Sequence, residues 1–241
     1  MPDTVGMPRE TIPAKAGTSD GATMPEHPPA DRPSPDVERL PSGRHRLPRA
    51  FVTEHQRRRI LGAVVAVAGV HGFGQLTVDA IIARAGVSRA TFYMHFRNKD
   101  DVFLRACDDL AARTARRVAA ARRDQPDALR RMTAGLGALL SHLAADPPAA
   151  RTWMVESMAA GTEAAARRDA ALGTLARLVA ADLRELDPRH PDPDLTAETI
   201  TGGVYQVLAT RIRRGETAAL PDLLPRLITA VFMKIPACCA R

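Results

Sequence analysis

Residues 77–99, TVDAIIARAGVSRATFYMHFRNK, constrain the fold more than any other stretch. Their order of cap, apolar stripe, glycine and second cap spells two short helices across a tight turn. Thr77 is placed to accept an orphan amide at the head of the first helix. Val78, Ile81, Ile82 and Ala85 follow at helical spacing and give that helix one buried face. Gly86 tolerates the left-handed conformation that ends many helices, Val87 plugs the corner, and Ser88 caps the next helix. The pattern is a helix-turn-helix.

In the second helix Phe92 and Phe96 lie four residues apart and share the face that packs on the core. Ala90, Thr91 and Met94 therefore point outward, with Tyr93 and His95 flanking them, and Arg89 in the first turn is long enough to reach a base edge. Small or polar outward residues ringed by Arg, Tyr, His and Lys suit a helix lying in a major groove, whose walls are lined by phosphates.

Charge supports this independently. Residues 51–123 hold 13 basic and 6 acidic side chains, whereas residues 1–50 hold 7 of each and residues 124–241 hold 14 of each. The whole formal excess of +7 thus sits on the segment carrying the motif, as neutralising a phosphate backbone requires. An Arg-rich composition alone would spread it evenly.

Residues 1–50 contain 10 of the 19 prolines and no Phe, Trp or Tyr, so they bury too little apolar surface to offset ordering entropy and are expected to be disordered. Arg44, His45, Arg46 and Arg49 make the end of this extension basic, either as an arm that follows DNA or as a solvated linker. No run reaches the ~18 apolar residues of a membrane span, and no apolar signal core opens the chain, so a cytoplasmic protein without a membrane partner is expected. Cys107, Cys238 and Cys239 have neither metal-site spacing nor a disulfide framework. They read as reduced thiols, with redox sensing by Cys107 an open alternative. HExxH, GxSxG, Walker and Cys-x-x-Cys patterns are all missing, so neither an enzyme nor a cofactor is expected. Gly72 and Gly74 read as a helix stop and turn, since no strand precedes them.

From Thr53 onward the chain reads as helix after helix: 53–71 with a buried stripe of Ile60, Leu61, Val64, Val67 and Ala68, the two helices of the motif, and a long helix 99–123 capped by Asn98. Further helices are expected at 127–144, 149–160, 162–186, 194–214 and 218–235, the last with an uncertain start because of Pro221 and Pro225. The fold class is all-α. The expected division is a Pro-rich extension (1–50), a three-helix DNA-binding domain (51–98), a connecting helix (99–123) and a helical ligand-binding and dimerisation domain (124–241).

Leu76-Thr77-Val78, Ala85-Gly86-Val87-Ser88, Thr91-Phe92-Tyr93, His95-Phe96 and Asn98-Lys99 resemble the pattern of the TetR family of bacterial transcriptional regulators, strongly over about 53–110. The resemblance implies a homodimer that binds a palindromic operator in double-stranded DNA, usually as a repressor, and is released by a small-molecule effector. It also implies DNA contacts from Thr77, Ser88, Arg89, Ala90, Thr91, Tyr93, Met94, His95 and Lys99. Paired glycines and wide apolar stripes in the last two helices, with Ile200, Gly202, Gly203, Val204, Val207 and Leu208 on one and Leu220, Leu223, Leu224, Leu227, Ile228, Val231 and Phe232 on the other, suit a four-helix dimer interface. Met132, Leu136, Leu139, Trp153, Met154 and Met158 are candidates to line a pocket for a largely apolar effector, with His142 and Glu156 as its polar contacts. A ligand-independent or architectural DNA-binding protein would share the motif but fill its second half solidly.

Overall fold

Capping residues set most helix boundaries in the computed structural model, which describes residues 49–232 and side chains through Ala230. Arg44, His45, Arg46 and the remainder of residues 1–48, Cys238, Cys239 and the side chains of Val231 and Phe232 lie outside the described residues, whereas Arg49 and Ala50 of the expected extension are already helical. The helices are α1 (Arg49–His71), α2 (Val78–Ala85), α3 (Arg89–His95), α4 (Lys99–Arg123), α5 (Ala128–Ala145), α6 (Pro147–Met154), α7 (Thr162–Leu186), α8 (Pro193–Arg213) and α9 (Leu224–Phe232), with short 3-10 turns at 73–75, 156–158 and 217–223. Among the described residues there is no strand, and the fold is all-α.

Asn98 Oδ1 accepts from the amide of Asp101 at 2.8 Å to open α4, and carboxylates of Asp127, Asp146 and Asp192 open α5, α6 and α8. The ranges of α4 and α7 match those read from sequence. Elsewhere the boundaries differ for local reasons. Helix α1 begins at Arg49, four residues before Thr53. Pro147 and Pro148 begin α6 rather than only ending α5, since proline in a first turn forfeits an amide that has no helical partner. That helix stops at Met154 and tightens into the turn 156–158 instead of running to 160. The predicted helix 218–235 is a 3-10 segment around Pro221, with α9 starting only at Leu224.

One apolar cluster runs from the helix-turn-helix into the second half: Ile60, Phe92, Phe96, Val102 and Phe103 belong to it together with Leu140, Trp153, Leu208 and Leu220. Helix α6 packs on α1 at backbone range. A Cβ on Gly69 would lie 2.4 Å from the carbonyl oxygen of Pro148 and 2.7 Å from its Cα, so glycine is needed here for close approach. Thr152 Oγ1 adds a hydrogen bond to the carbonyl of Val65 at 3.2 Å.

Gly69→Ala is therefore expected to push α1 from α6 and lower stability by about 1–3 kcal/mol, as overpacking does. Gly62→Ala, on the same helix where nothing lies within 4 Å, should instead raise it by about 0.5–1 kcal/mol. Chemical denaturation of both variants checks the contrast, and equal effects at the two sites would refute it.

Candidate nucleic-acid interface and ligand cavity

The turn between α2 and α3 is built by hydrogen bonds that the two caps and one distant arginine supply. Thr77 Oγ1 accepts from the Ala80 amide at 3.1 Å, and Ser88 Oγ accepts from the Thr91 amide at 3.0 Å. Gly86 takes φ 61°, and its carbonyl receives the Arg59 guanidinium of α1 at 3.0 Å. Phe92 and Phe96 are buried with ring centroids 5.9 Å apart, which fixes the rotation of α3 as the sequence spacing predicted.

That rotation leaves Met94 at 73% and Tyr93 at 51% exposure, with Ala90 and Arg89 also exposed. Thr91 is half-buried, and its hydroxyl lies 2.9 Å from that of Ser88. His95 is half-buried too, its Nε2 3.3 Å from Gln56 Oε1. Lys99 Nζ sits 5.0 Å from the centre of the Phe73 ring. Arg89 forms an ion pair with Asp79 of α2. Both side chains are exposed, so the pair is weak enough for a stronger acceptor to replace. Gln56, Arg59 and Asp79 hold His95, Gly86 and Arg89 from positions that periodicity does not reveal.

The second half is not solid. An apolar cavity, with an envelope of about 920 Å³ that includes its mouth, opens among α4 to α8. Met132, Leu136, Leu139, Trp153 and Met154 line it, as expected from sequence, together with Leu172, Leu175 and Tyr205, which the sequence reading had not singled out. His142, Glu156 and Met158 do not. Met158 is 46% exposed. His142 is half-buried facing Arg117 and Arg113, and burial first, then those two charges, hold its pKa below the ordinary value. Ile200, Val204 and Leu208 of the expected dimer stripe also line the cavity of their own chain, and Leu220 is fully buried. Leu195, Gly202, Gly203 and Val207 remain on the outer face of α8.

Residues 60–106 match the family model described as bacterial regulatory proteins, tetR family. That segment is a TetR-family helix-turn-helix. The same fold recurs in the fatty acid degradation regulator FadR from Bacillus halodurans, at 22% identity and TM-score 0.69 over 75% of this chain and 96% of that one. It recurs in FadR from Bacillus subtilis in complex with stearoyl-CoA, at 20% identity and TM-score 0.66 over 72% and 96%. A TetR-like transcriptional regulator from Rhodococcus sp. RHA1 is 25% identical, with TM-score 0.58 over 76% and 96%. No curated protein matched the sequence.

Beyond this TetR-type segment, Glu156 has a different place from the one expected of it. It is buried outside the cavity, where Oε2 accepts from the Phe73 amide at 2.9 Å and Oε1 pairs with Arg151 at 3.1 Å. Phe73 in turn packs on Phe103 of α4, centroids 4.7 Å apart. Trp153 and Met154, three and two residues before Glu156, form cavity wall, and Tyr205 donates to the Met154 carbonyl at 2.9 Å. Segment 153–158 therefore touches both the cavity and the loop that enters the helix-turn-helix. Cys107 is buried, and that burial, with Asp108 adding to it against Arg167, pushes its pKa up to about 12. Such burial favours the protonated thiol and weighs against the redox-sensing alternative.

Two outcomes are expected. Glu156→Ala should leave the Phe73 amide unpaired, cost about 1–3 kcal/mol, and speed hydrogen exchange at Phe73 above its wild-type rate; unchanged exchange there would remove the link. Cys107 should resist iodoacetamide at pH 8 in the folded protein and react once denaturant is added, because the folded pKa lies far above that pH and the unfolded one near 8.5. Rapid labelling of the native thiol counts against its burial.

Proposed function

We propose that this transcriptional regulator is a homodimeric repressor that lays α3 in the major groove of a palindromic operator and releases it when a small, largely apolar effector fills the cavity. The observation that carries the reading is segment 153–158, which is cavity wall at Trp153 and Met154 and anchors Phe73 through Glu156. A ligand that moves this segment moves the loop before α2.

In this reading Ala90, Thr91 and Met94 approach the bases, with Met94 suited to a thymine methyl, and Arg89 reads a guanine edge after leaving Asp79. Thr77, Ser88, Tyr93, His95 and Lys99 serve the phosphates. Lys99 keeps its three ammonium donors beside its contact with Phe73, whereas His95 has to exchange its bond to Gln56 Oε1 for a phosphate oxygen. Dimerisation uses the outer face of α8, where a Cβ on Gly202 or Gly203 would meet nothing within 4 Å and Leu195 is exposed, together with α9. The alternative of a ligand-independent DNA-binding protein calls for a solid second half, and the cavity weighs against it.

Only a ligand that prefers the DNA-incompetent spacing of the two α3 helices can act as inducer. Lowering operator affinity a hundredfold takes about 2.7 kcal/mol of differential binding, and by reciprocity operator must weaken the ligand by the same factor. Half-sites about one helical turn apart, ~34 Å, are expected. If the dimer neutralises ~6–10 phosphates, affinity should fall with salt at a log-log slope of roughly −5 to −9. Arg89→Ala should lose about 1–3 kcal/mol of discrimination at one base pair, whereas Lys99→Ala should weaken all sequences alike and flatten the slope. Fluorescence anisotropy with protected genomic fragments measures these quantities. Salt-insensitive binding, or protection of no fragment, would sink the proposal.

A further inference from the structure

The cavity is lopsided in its chemistry. Its wall is apolar except for a few polar side chains, and none of the lining residues is acidic. Of its two arginines, Arg122 is already neutralised, lying 2.8 Å from Asp182, which is 2% exposed. Arg168 is paired at the solvent edge instead, its Nε and Nη2 both donating to Asp169 Oδ1, at 3.1 and 2.9 Å. Its side chain is only 21% exposed, yet its carboxylate partner is the adjacent Asp169, which is 64% exposed and stands in solvent. Its guanidinium carbon lies 5.9 Å from the centre of the Tyr205 ring. One turn before Tyr205 on α8, Thr201 brings to the cavity wall a buried Oγ1 with no hydrogen-bond partner. The apolar wall thus carries one unpaired buried hydroxyl and one mostly covered cation whose carboxylate partner stands in solvent, where a ligand's anion can compete for it.

We propose that the cavity binds an alkyl amphiphile with a single anionic head, a medium- or long-chain carboxylate. Arg168 and Thr201 receive the carboxylate, and the alkyl body lies along Leu136, Leu139 and Leu175. This rests on the effector-sensing reading of the same cavity and names the ligand class. Cationic amphiphiles are excluded by the same wall, since it offers no acid and buries a positive charge. A second void shares Trp153 and Leu175 with the first and is otherwise lined chiefly by small side chains of α4 and α7, including Ala111, Ala115 and Ala171. An alkyl chain long enough to pass Trp153 enters it.

Trp153 is the only tryptophan of the chain, so its fluorescence reports occupancy directly. The full-length protein is titrated with decanoate, decanol and decyltrimethylammonium, which share a chain length and differ in head charge. Decanoate should change the emission saturably and bind at least about tenfold more tightly than the ammonium. Arg168→Gln should weaken decanoate by about ten- to a hundredfold and leave decanol within about twofold, and Arg168→Lys should restore part of the loss. Equal binding of decanoate and the ammonium overturns the proposal. So does equal weakening of decanoate and decanol by Arg168→Gln, or a preference for decanoyl-CoA that Arg168→Gln does not touch. Operator release is followed in parallel. If another compound releases DNA and no carboxylate binds, the head-group assignment falls while effector sensing stands. If decanoate binds with the expected dependence on Arg168 but no bound ligand alters operator affinity, the assignment stands and the sensing reading falls.

Discussion

Phe92, Phe103 and Trp153 belong to one continuous apolar cluster, and the rest of the molecule is arranged around that continuity. Had the helix-turn-helix and the second half each closed a core of its own, they would meet through a small polar interface and move independently. Instead α4 carries Val102, Phe103 and Ala106 into the first set of helices and Val118 into the second. A close-packed interior transmits displacement because its side chains have few voids to relax into. No break in the apolar core falls at residue 98 or 123 among the described residues.

Local signals in the chain were strong enough to place the helix-turn-helix and the side chains that α3 leaves exposed. Thr77, Gly86, Ser88 and Asn98 each act within four residues of themselves, so their chemistry could be read without knowing what packs on them. Phe92 and Phe96 set the helix phase for the same reason. The supports of that motif were invisible, because Arg59 reaches Gly86 across 27 residues and Gln56 reaches His95 across 39. Helix ends around Pro147, Pro148 and Pro221 were misjudged because proline serves both to stop one helix and to start another.

For the second half, spacing identified apolar faces but could not say which would meet a void and which a neighbour. Ile200, Val204 and Leu208 lie on the helix expected to pair with another copy, and they turn inward to the cavity. Glu156 was expected to be a polar ligand contact, yet the chain tightens after Met154 and carries its carboxylate to the Phe73 amide, outside the cavity. A buried ion cluster, Asp182 with Arg122 and Arg131, ties α4, α5 and α7 together, and its partners lie as far as 60 residues apart. Such pairings are products of tertiary assembly and leave no periodic trace.

The backbone contact at Gly69 has a mechanical consequence for α1. Ten residues, or about 15 Å of helix, separate it from Arg59, whose guanidinium holds the carbonyl at the bend between α2 and α3. At the far end main chain meets main chain, with no side chain present to absorb a push by changing rotamer. Helix α1 is thus a strut, stiff along its axis and fastened at two points. A tilt of α6 enters at Gly69 as strain and leaves at Gly86 as a change in the aim of α3.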